Sequence, residues 1–219
     1  MEVWCDGYAG CNRQPLEMPS EMLDSARSTA REEPRRAGAM LLVTSRGFYK
    51  TGHARRALAA AVPGAHIRGS RFGGVLLLEA EGDPLELARR VSQQCSDDVG
   101  RVIAVCAQVP TSAATLRESA VCVGAERIAE DDSFCFRIRK RGAHALDEST
   151  AALEREIGGA ILVALERKYG HRPRVDLENP DVAIRAEVLG PIALVGVQRR
   201  DWGHCEAKAG RGLHGDSSG

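Results

Sequence analysis

The stretch "VDLENPDVAIRAEVLGPIALVGV", Val175 to Val197, decides the fold. A short strand around Val175 leads into Glu178-Asn179-Pro180-Asp181, residue types that favour a turn. Val182, Ile184, Ala186 and Val188 then alternate with Arg185 and Glu187, the period-2 pattern of a strand with one buried and one exposed face. Gly190-Pro191 turns the chain again. "IALVGV" after it is apolar on both faces, as in a central strand that needs neighbours on either side.

Those neighbours lie upstream. "FCFRIRKRGAH", Phe134 to His144, alternates Phe134, Phe136 and Ile138 with Cys135, Arg137 and Arg139, and then ends in Lys140, Arg141 and Gly142. "DESTAALEREIGGAILVALERKYG" follows as the longest helix. Leu153, Ile157, Ile161 and Leu165 repeat every four residues, Asp147 is the expected cap and Gly170 the left-handed stop. Gly158 and Gly159 each cost that helix about 1 kcal/mol relative to Ala, which points to close packing on the sheet or to a ligand, packing being the simpler reading. "TSAATLRESAVCVGAERI" reads as a preceding helix with Leu116, Ala120 and Val123 or Gly124 inward.

Between Met40 and Pro110 the pattern predicts β-α-β-β-α-β, the split β-α-β of a ferredoxin-like domain. Its strands are "MLLVTSR", two in "AHIRGSRFGGVLLLEAEGD" around a Gly73-Gly74 turn, and "GRVIAVCAQVP". Its helices are "GHARRALAAAVPG" and "DPLELARRVSQQC", the second opened by Asp83 as N-cap and Pro84 at the first helical position. Residues 1–39 lack periodicity and read as a disordered extension, with Met40 expected as the native start; residues 202–219 read as a flexible tail. The fold class is therefore α/β (α+β), with domains at 40–110 and 111–201.

Thirty basic and thirty acidic residues balance, so the chain is not a wholesale polycation, and any nucleic-acid contact must come from a local patch. Arginines number 26 against four lysines, which suits bidentate phosphate contacts and follows equally from genome base composition. Seven cysteines without a C-x-x-C pair, no secretory segment and no membrane-length apolar run indicate a cytoplasmic protein with reduced thiols. Cys95, Cys106, Cys122 and Cys135 sit in apolar patterns as core fillers. Cys5, Cys11, His204 and Cys205 lie in the two tails without the spacing of a zinc site, so no metal is expected. No phosphate-binding glycine loop, nucleophile elbow or H-E-x-x-H occurs, and no catalytic residue or cofactor is expected.

What remains is a set of cations. Arg137, Arg139, Lys140 and Arg141 close one strand beside Gly142, while Lys168, Arg172 and Arg174 surround the end of the long helix. Such clusters position phosphates. For Lys168 the helix dipole, worth some tenths of a kcal/mol per cation, is a sufficient account; for four cations at a strand end it is not.

"FCFRIRKRGAH", "LEREIGGAIL" and especially the "DLENPD" turn with its alternating strand resemble a THUMP domain, an RNA-binding module of tRNA-modifying proteins, over about residues 111–200. The first half is similar to the ferredoxin-like domain that accompanies such modules, and "LLVTSRG" resembles the stand-alone adaptors that help a separate acetyltransferase make N4-acetylcytidine. The resemblance implies tRNA as ligand, through its acceptor stem and 3′ end, and a tRNA acetyltransferase in trans. It places Arg137, Arg139, Lys140, Arg141, Gly142 and His144 near RNA, with Lys168 and Arg172 as further cations and with Asn179 and Pro180 shaping the site. Another tRNA modification (methylation, thiolation or pseudouridylation) or a non-RNA anion ligand are the alternatives.

Overall fold

A computed structural model describes residues 38–47 and 50–203. The expectations for residues 1–37 and for the tail beyond Gly203, including Cys5, Cys11, His204 and Cys205, lie outside the described residues.

The described chain runs β1 (Ala39–Ser45), α1 (Thr51–Ala61), β2 (His66–Gly69), β3 (Val75–Ala80), α2 (Pro84–Gln94), β4 (Val99–Pro110), α3 (Ala113–Arg127), β5 (Phe134–Arg141), α4 (Thr150–Tyr169), β6 (Val182–Leu189), β7 (Ile192–Arg199) and a 3-10 turn, Arg200–Trp202. The β-α-β-β-α-β order expected for the first half is the order observed. Helix α2 starts as its sequence requires, the Asp83 carboxylate accepting from the N–H groups of Leu85 and Glu86 at 2.9 Å. Helix α4 is capped by the Ser149 hydroxyl, which accepts from Ala152 N–H; Asp147, the expected cap, lies two residues too early to reach the first turn. Gly170 ends α4 at φ +76°.

All seven strands form one sheet in the order β2-β3-β1-β4-β7-β6-β5. Strand β4 hydrogen-bonds β1 on one side and β7 on the other, so the boundary read between Pro110 and Thr111 falls at the end of a strand common to both halves. Only β5 and β6 run parallel, and α4 makes the crossover that a parallel pair needs. The expected strand around Val175 reduces to a single bridge between Phe134 and Val175.

The four helices cover one face. Leu41, Val43, Val102 and Ala104 meet Leu58, Leu87 and Val91 in the first half, and Phe134, Phe136, Ile138, Ile184 and Val195 meet Leu116, Leu153, Ile157 and Ile161 in the second. Each fully buried Leu, Ile or Phe contributes roughly 1.5–3 kcal/mol, which makes these two clusters the main stabilisation. Trp202, assigned by composition to the tail, is 2% exposed and completes the first cluster, because an indole gains more from burial than from water. Helices α3 and α4 meet where Gly124 faces Ile161, since a Cβ at Gly124 would lie 2.9 Å from that side chain. Gly158 and Gly159 make no such demand: a Cβ at Gly158 would make ordinary contact with Phe136, and one at Gly159 would meet nothing within 4 Å.

The seam between the halves is tighter. Between Val105 and Ala107 the register of β4 against β7 shifts by one residue, at Cys106. A Cβ on Gly196, opposite Val105, would stand 2.2 Å from the Ala104 carbonyl oxygen. Only glycine permits this bulge. The sheet curls as a result of twist and bulge together. The β2–β3 loop thereby reaches the far ends of β5 and β6, where added Cβ atoms at Gly142 and Gly190 would strike Phe72 (2.8 Å) and Arg71 (2.5 Å). The helix-free face is thus concave, and Leu42, Leu77, Ile103 and Leu194 form a third small cluster within it.

Replacing Gly196 by Ala is expected to lower stability by roughly 2–3 kcal/mol, because a backbone carbonyl must move to make room. A urea titration reads this as a lower midpoint with an unchanged slope; an unchanged midpoint would show that the seam tolerates a side chain.

Candidate nucleic-acid interface

Strand alternation divides the cations of β5. Arg137, Arg139 and Arg141 point to the helix-free face, whereas Lys140 points to the helix face and donates to the Glu148 carbonyl at 2.6 Å. The "RIRKRG" run is therefore a row of three guanidiniums spaced by roughly 7 Å, with its lysine elsewhere.

The three are not equivalent. Arg137 donates to Glu154 at 3.2 Å and to the Leu177 carbonyl at 2.6 Å. Glu154 also accepts from Ile138 N–H at 3.1 Å, so one carboxylate both anchors Arg137 and blunts the exposed edge of the sheet. Arg141 lies 3.2 Å from Glu187 Oε2, and Arg101 of β4 donates to Glu187 Oε1 at 3.0 Å. Glu187 is 2% exposed, so the β6 face read as solvent-facing is in fact enclosed. The curl brings Arg101 and Arg141 over it from both sides. Desolvation pulls the pKa of Arg101 and Arg141 down, opposed by Glu187. Arg139 is exposed and has no hydrogen-bond or ion-pair partner among the described residues.

The remaining expected residues fall into two groups. Gly142 adopts φ +73°, and its close neighbour is Phe72, so its freedom serves the curl. His144 Nδ1 accepts from Leu146 N–H at 3.3 Å, which shapes the loop after β5. Lys168 and Arg172 lie at the opposite end of β5, away from this row. Lys168 donates to the Ala125 carbonyl at 2.5 Å and sits 4.7 Å from the Tyr169 ring, tying α4 to α3. Arg172 is exposed and lies 3.8 Å from Glu166.

At that same end the "DLENPD" loop builds a second feature. Asp176 accepts from the N–H groups of Glu178 and Asn179 at 2.9 Å, closing an Asx turn. Asp181 accepts from Ser133 N–H at 2.9 Å, from the Ser133 hydroxyl at 2.5 Å and from Arg174 at 3.0 Å, and it also pairs with Arg200. The Ser133 hydroxyl and N–H, with Arg200 and Arg174 behind them, hold the Asp181 carboxyl far below the usual carboxylate range. The loop walls a cleft of about 160 Å³ on the helix-free face, lined by Cys135, Arg137, Pro180, Arg185, Gln198, Arg199 and Arg200 among others. Asn179 contributes its carbonyl, which holds Arg200 at 3.0 Å, and Pro180 lines the wall.

Cys135 is buried as expected, but it faces this cleft and not the helix-side core. Burial pushes its thiol pKa up, as it does for Cys95 and Cys106. No group of His, Cys, Asp and Glu among the described residues could hold a metal ion. None of the described helices is long and apolar enough to cross a membrane. Sequence reasoning missed Arg101, Glu187, Asp181, Arg185, Arg199 and Arg200. The available signal was a pair of charged residues in the middle of β6, a strand that the apolar "IALVGV" run places beside a central partner.

Comparison with known proteins bears on both halves. The family model described as "THUMP domain" matches residues 110–198. The tRNA sulfurtransferase of Aliivibrio salmonicida (strain LFI1238) is 38% identical over 61 residues, 28% of this chain and 11% of that protein. Among solved structures, TrmN from Thermus thermophilus superposes with a TM-score of 0.52 at 21% identity, over 74% of this chain and 46% of that one. A 4-thiouridine synthetase in an RNA complex with bound ATP gives a TM-score of 0.52 at 14% identity, over 74% of this chain and 41% of that one. The chain thus spans less than half the length of each of these proteins, and the structural matches show a common fold.

Glu187→Gln is expected to destabilise the protein by roughly 3–5 kcal/mol, since it removes the buried carboxylate that Arg101 and Arg141 share; chemical denaturation checks this. Asp181 has a folded pKa below its unfolded value of about 3.9, so its contribution is complete above that pH and is lost as pH falls further. Stability–pH curves of the natural protein and of Asp181→Asn should therefore converge below about pH 4, and parallel curves would contradict the assignment.

Proposed function

We propose that this chain, which carries a THUMP domain at residues 110–198, is a non-catalytic tRNA-binding adaptor that presents tRNA in the cytoplasm to a separate modification enzyme. The first half, read as the ferredoxin-like companion of the THUMP domain, extends the same concave sheet. The observation that carries the reading is the row Arg137, Arg139 and Arg141 on the helix-free face of the matched domain. Its outer members are fixed by Glu154 and Glu187, and its middle guanidinium is exposed without a partner among the described residues. Fixed cations around one free cation form a pre-organised phosphate contact at low entropic cost. The acceptor stem with its 3′ end is the proposed part of the tRNA, since a base-paired stem offers phosphates in a regular row.

For the modification, N4-acetylcytidine made by an acetyltransferase in trans is the first assignment, supported by the resemblance of the first half to stand-alone adaptors. Thiolation is the second, supported by the stretch that is 38% identical to a tRNA sulfurtransferase.

Titration with tRNA across a salt series should show affinity falling steeply with salt. Arg139→Ala should weaken binding and reduce the salt slope by about one while leaving the unfolding midpoint unchanged. Absent or salt-independent tRNA binding would sink the proposal. Nucleoside analysis of tRNA from a strain lacking the gene then separates the assignments: loss of N4-acetylcytidine selects acetylation, and loss of a thiolated nucleoside selects the other.

A further inference from the structure

We infer that the cleft beside Pro180 seats one phosphoryl group on the guanidinium of Arg185. The inference rests on the tRNA-binding reading for the source of that group, and on the cleft alone for its chemistry.

Four arginines line the cleft, and three of them are already held. Arg137 is fixed by Glu154 and the Leu177 carbonyl, Arg199 by Asp132 and Asp201, and Arg200 by Asp181 and the Asn179 carbonyl. Arg185 differs. It projects from the middle of β6, its Nε is fully buried without a hydrogen-bond partner, and no described carboxylate or carbonyl binds its guanidinium. Desolvation, with Arg101 nearby, pushes its pKa down to about 10, so it remains charged at neutral pH.

A half-buried guanidinium whose Nε is desolvated without a hydrogen bond costs stability, and an apolar residue of similar volume would serve packing better. Its surroundings explain its presence. The neighbouring thiol, Cys135, is held protonated by burial and offers no competing anion. The only carboxylate among the lining residues, Glu178, is exposed on the loop. Three of the four guanidiniums are already neutralised by Glu154, Asp132, Asp201 and Asp181, so the charge left to face the cleft is that of Arg185, whose planar fork suits the oxygens of a phosphoryl group. A volume of about 160 Å³ leaves room for a phosphoryl group and ordered water. The phosphoryl group is either one belonging to the bound RNA or free phosphate.

The test uses the full chain and Arg185→Met, which removes the charge and keeps the bulk. The thermal midpoint of the variant should rise, because a partly desolvated charge with an unpaired Nε is gone, while its tRNA affinity should fall about tenfold with a salt slope smaller by about one. Inorganic phosphate should raise the midpoint of the natural protein and leave that of Arg185→Met unchanged. In the natural protein it should also shift the Arg185 Nε–H resonance. A lower midpoint for Arg185→Met with unchanged tRNA affinity would make Arg185 structural and overturn the inference, as would an Nε–H resonance that ignores phosphate. If the natural protein binds phosphate at Arg185 but no tRNA, the phosphoryl seat stands with free phosphate as its ligand, and it is the tRNA-binding reading that fails.

Discussion

The approach of Gly196 to the Ala104 carbonyl is the contact on which the rest of the structure depends. It lies at the junction of β4 and β7, the pair through which one half of the sheet continues into the other. The residue inserted at Cys106 re-phases β4, so that Ala104 and Ala107 both face the helices. Without it the second half of β4 would turn its apolar residues to the wrong face, since a one-residue slip inverts every side chain. A bulge also increases local twist, and here it bends a seven-stranded sheet until the loops at its two edges touch. One missing side chain thereby sets both the continuity of the sheet and its curvature.

Curvature in turn decides what each cation does. On a flat sheet Arg101 and Arg141, separated from one another by β7 and β6, would each reach water. In the curled sheet they converge on Glu187, and their desolvation makes that carboxylate indispensable. Arg139, one pleat away on the edge strand, stays outside the enclosure and keeps its charge available. Arg185 is half-buried at its edge, with Glu187 acting on it through space and no bonded carboxylate among the described residues. The same residue type on the same face thus serves as structure, as surface contact and as an internal anion seat, according to depth. This also fits a net charge of zero alongside the proposed RNA binding: on the helix-free face Arg137, Arg141, Arg199 and Arg200 are paired with carboxylates where they stand, and Arg139 and Arg185 have no bonded carboxylate among the described residues.

Much of the secondary structure was legible because its signals are local. The alternation in Phe134–Arg141, the four-residue repeat of Leu153, Ile157, Ile161 and Leu165, the Asp83–Pro84 helix start and the Gly170 stop each depend only on near neighbours. Errors arose where a distant partner intervened. Glu187 looked solvent-facing until β4 supplied Arg101, and Trp202 looked like tail until α2 and the first-half core covered it. Gly158 and Gly159 drew attention by their place in a helix, yet the glycines that close approach requires are Gly124, Gly142, Gly190 and Gly196, each facing a residue more than thirty positions away. For the site, the basic run was visible, but its division between two faces and between neutralised and free members was not.

By itself the sequence determined the elements and the chemistry available to them: which segments are strands or helices, which face of each is apolar, and that arginine dominates any binding surface. These follow from backbone sterics and short-range periodicity, which act over a few residues. Tertiary structure alone decided that the two halves are one sheet, that Glu187 is enclosed and Arg185 half-buried, and that the "DLENPD" loop walls a cleft with Arg199 and Arg200. The physical reason is that charge and polarity act through space. The environment of a guanidinium is set by desolvation and by the nearest carboxylate, and here both are supplied by strands far away along the chain.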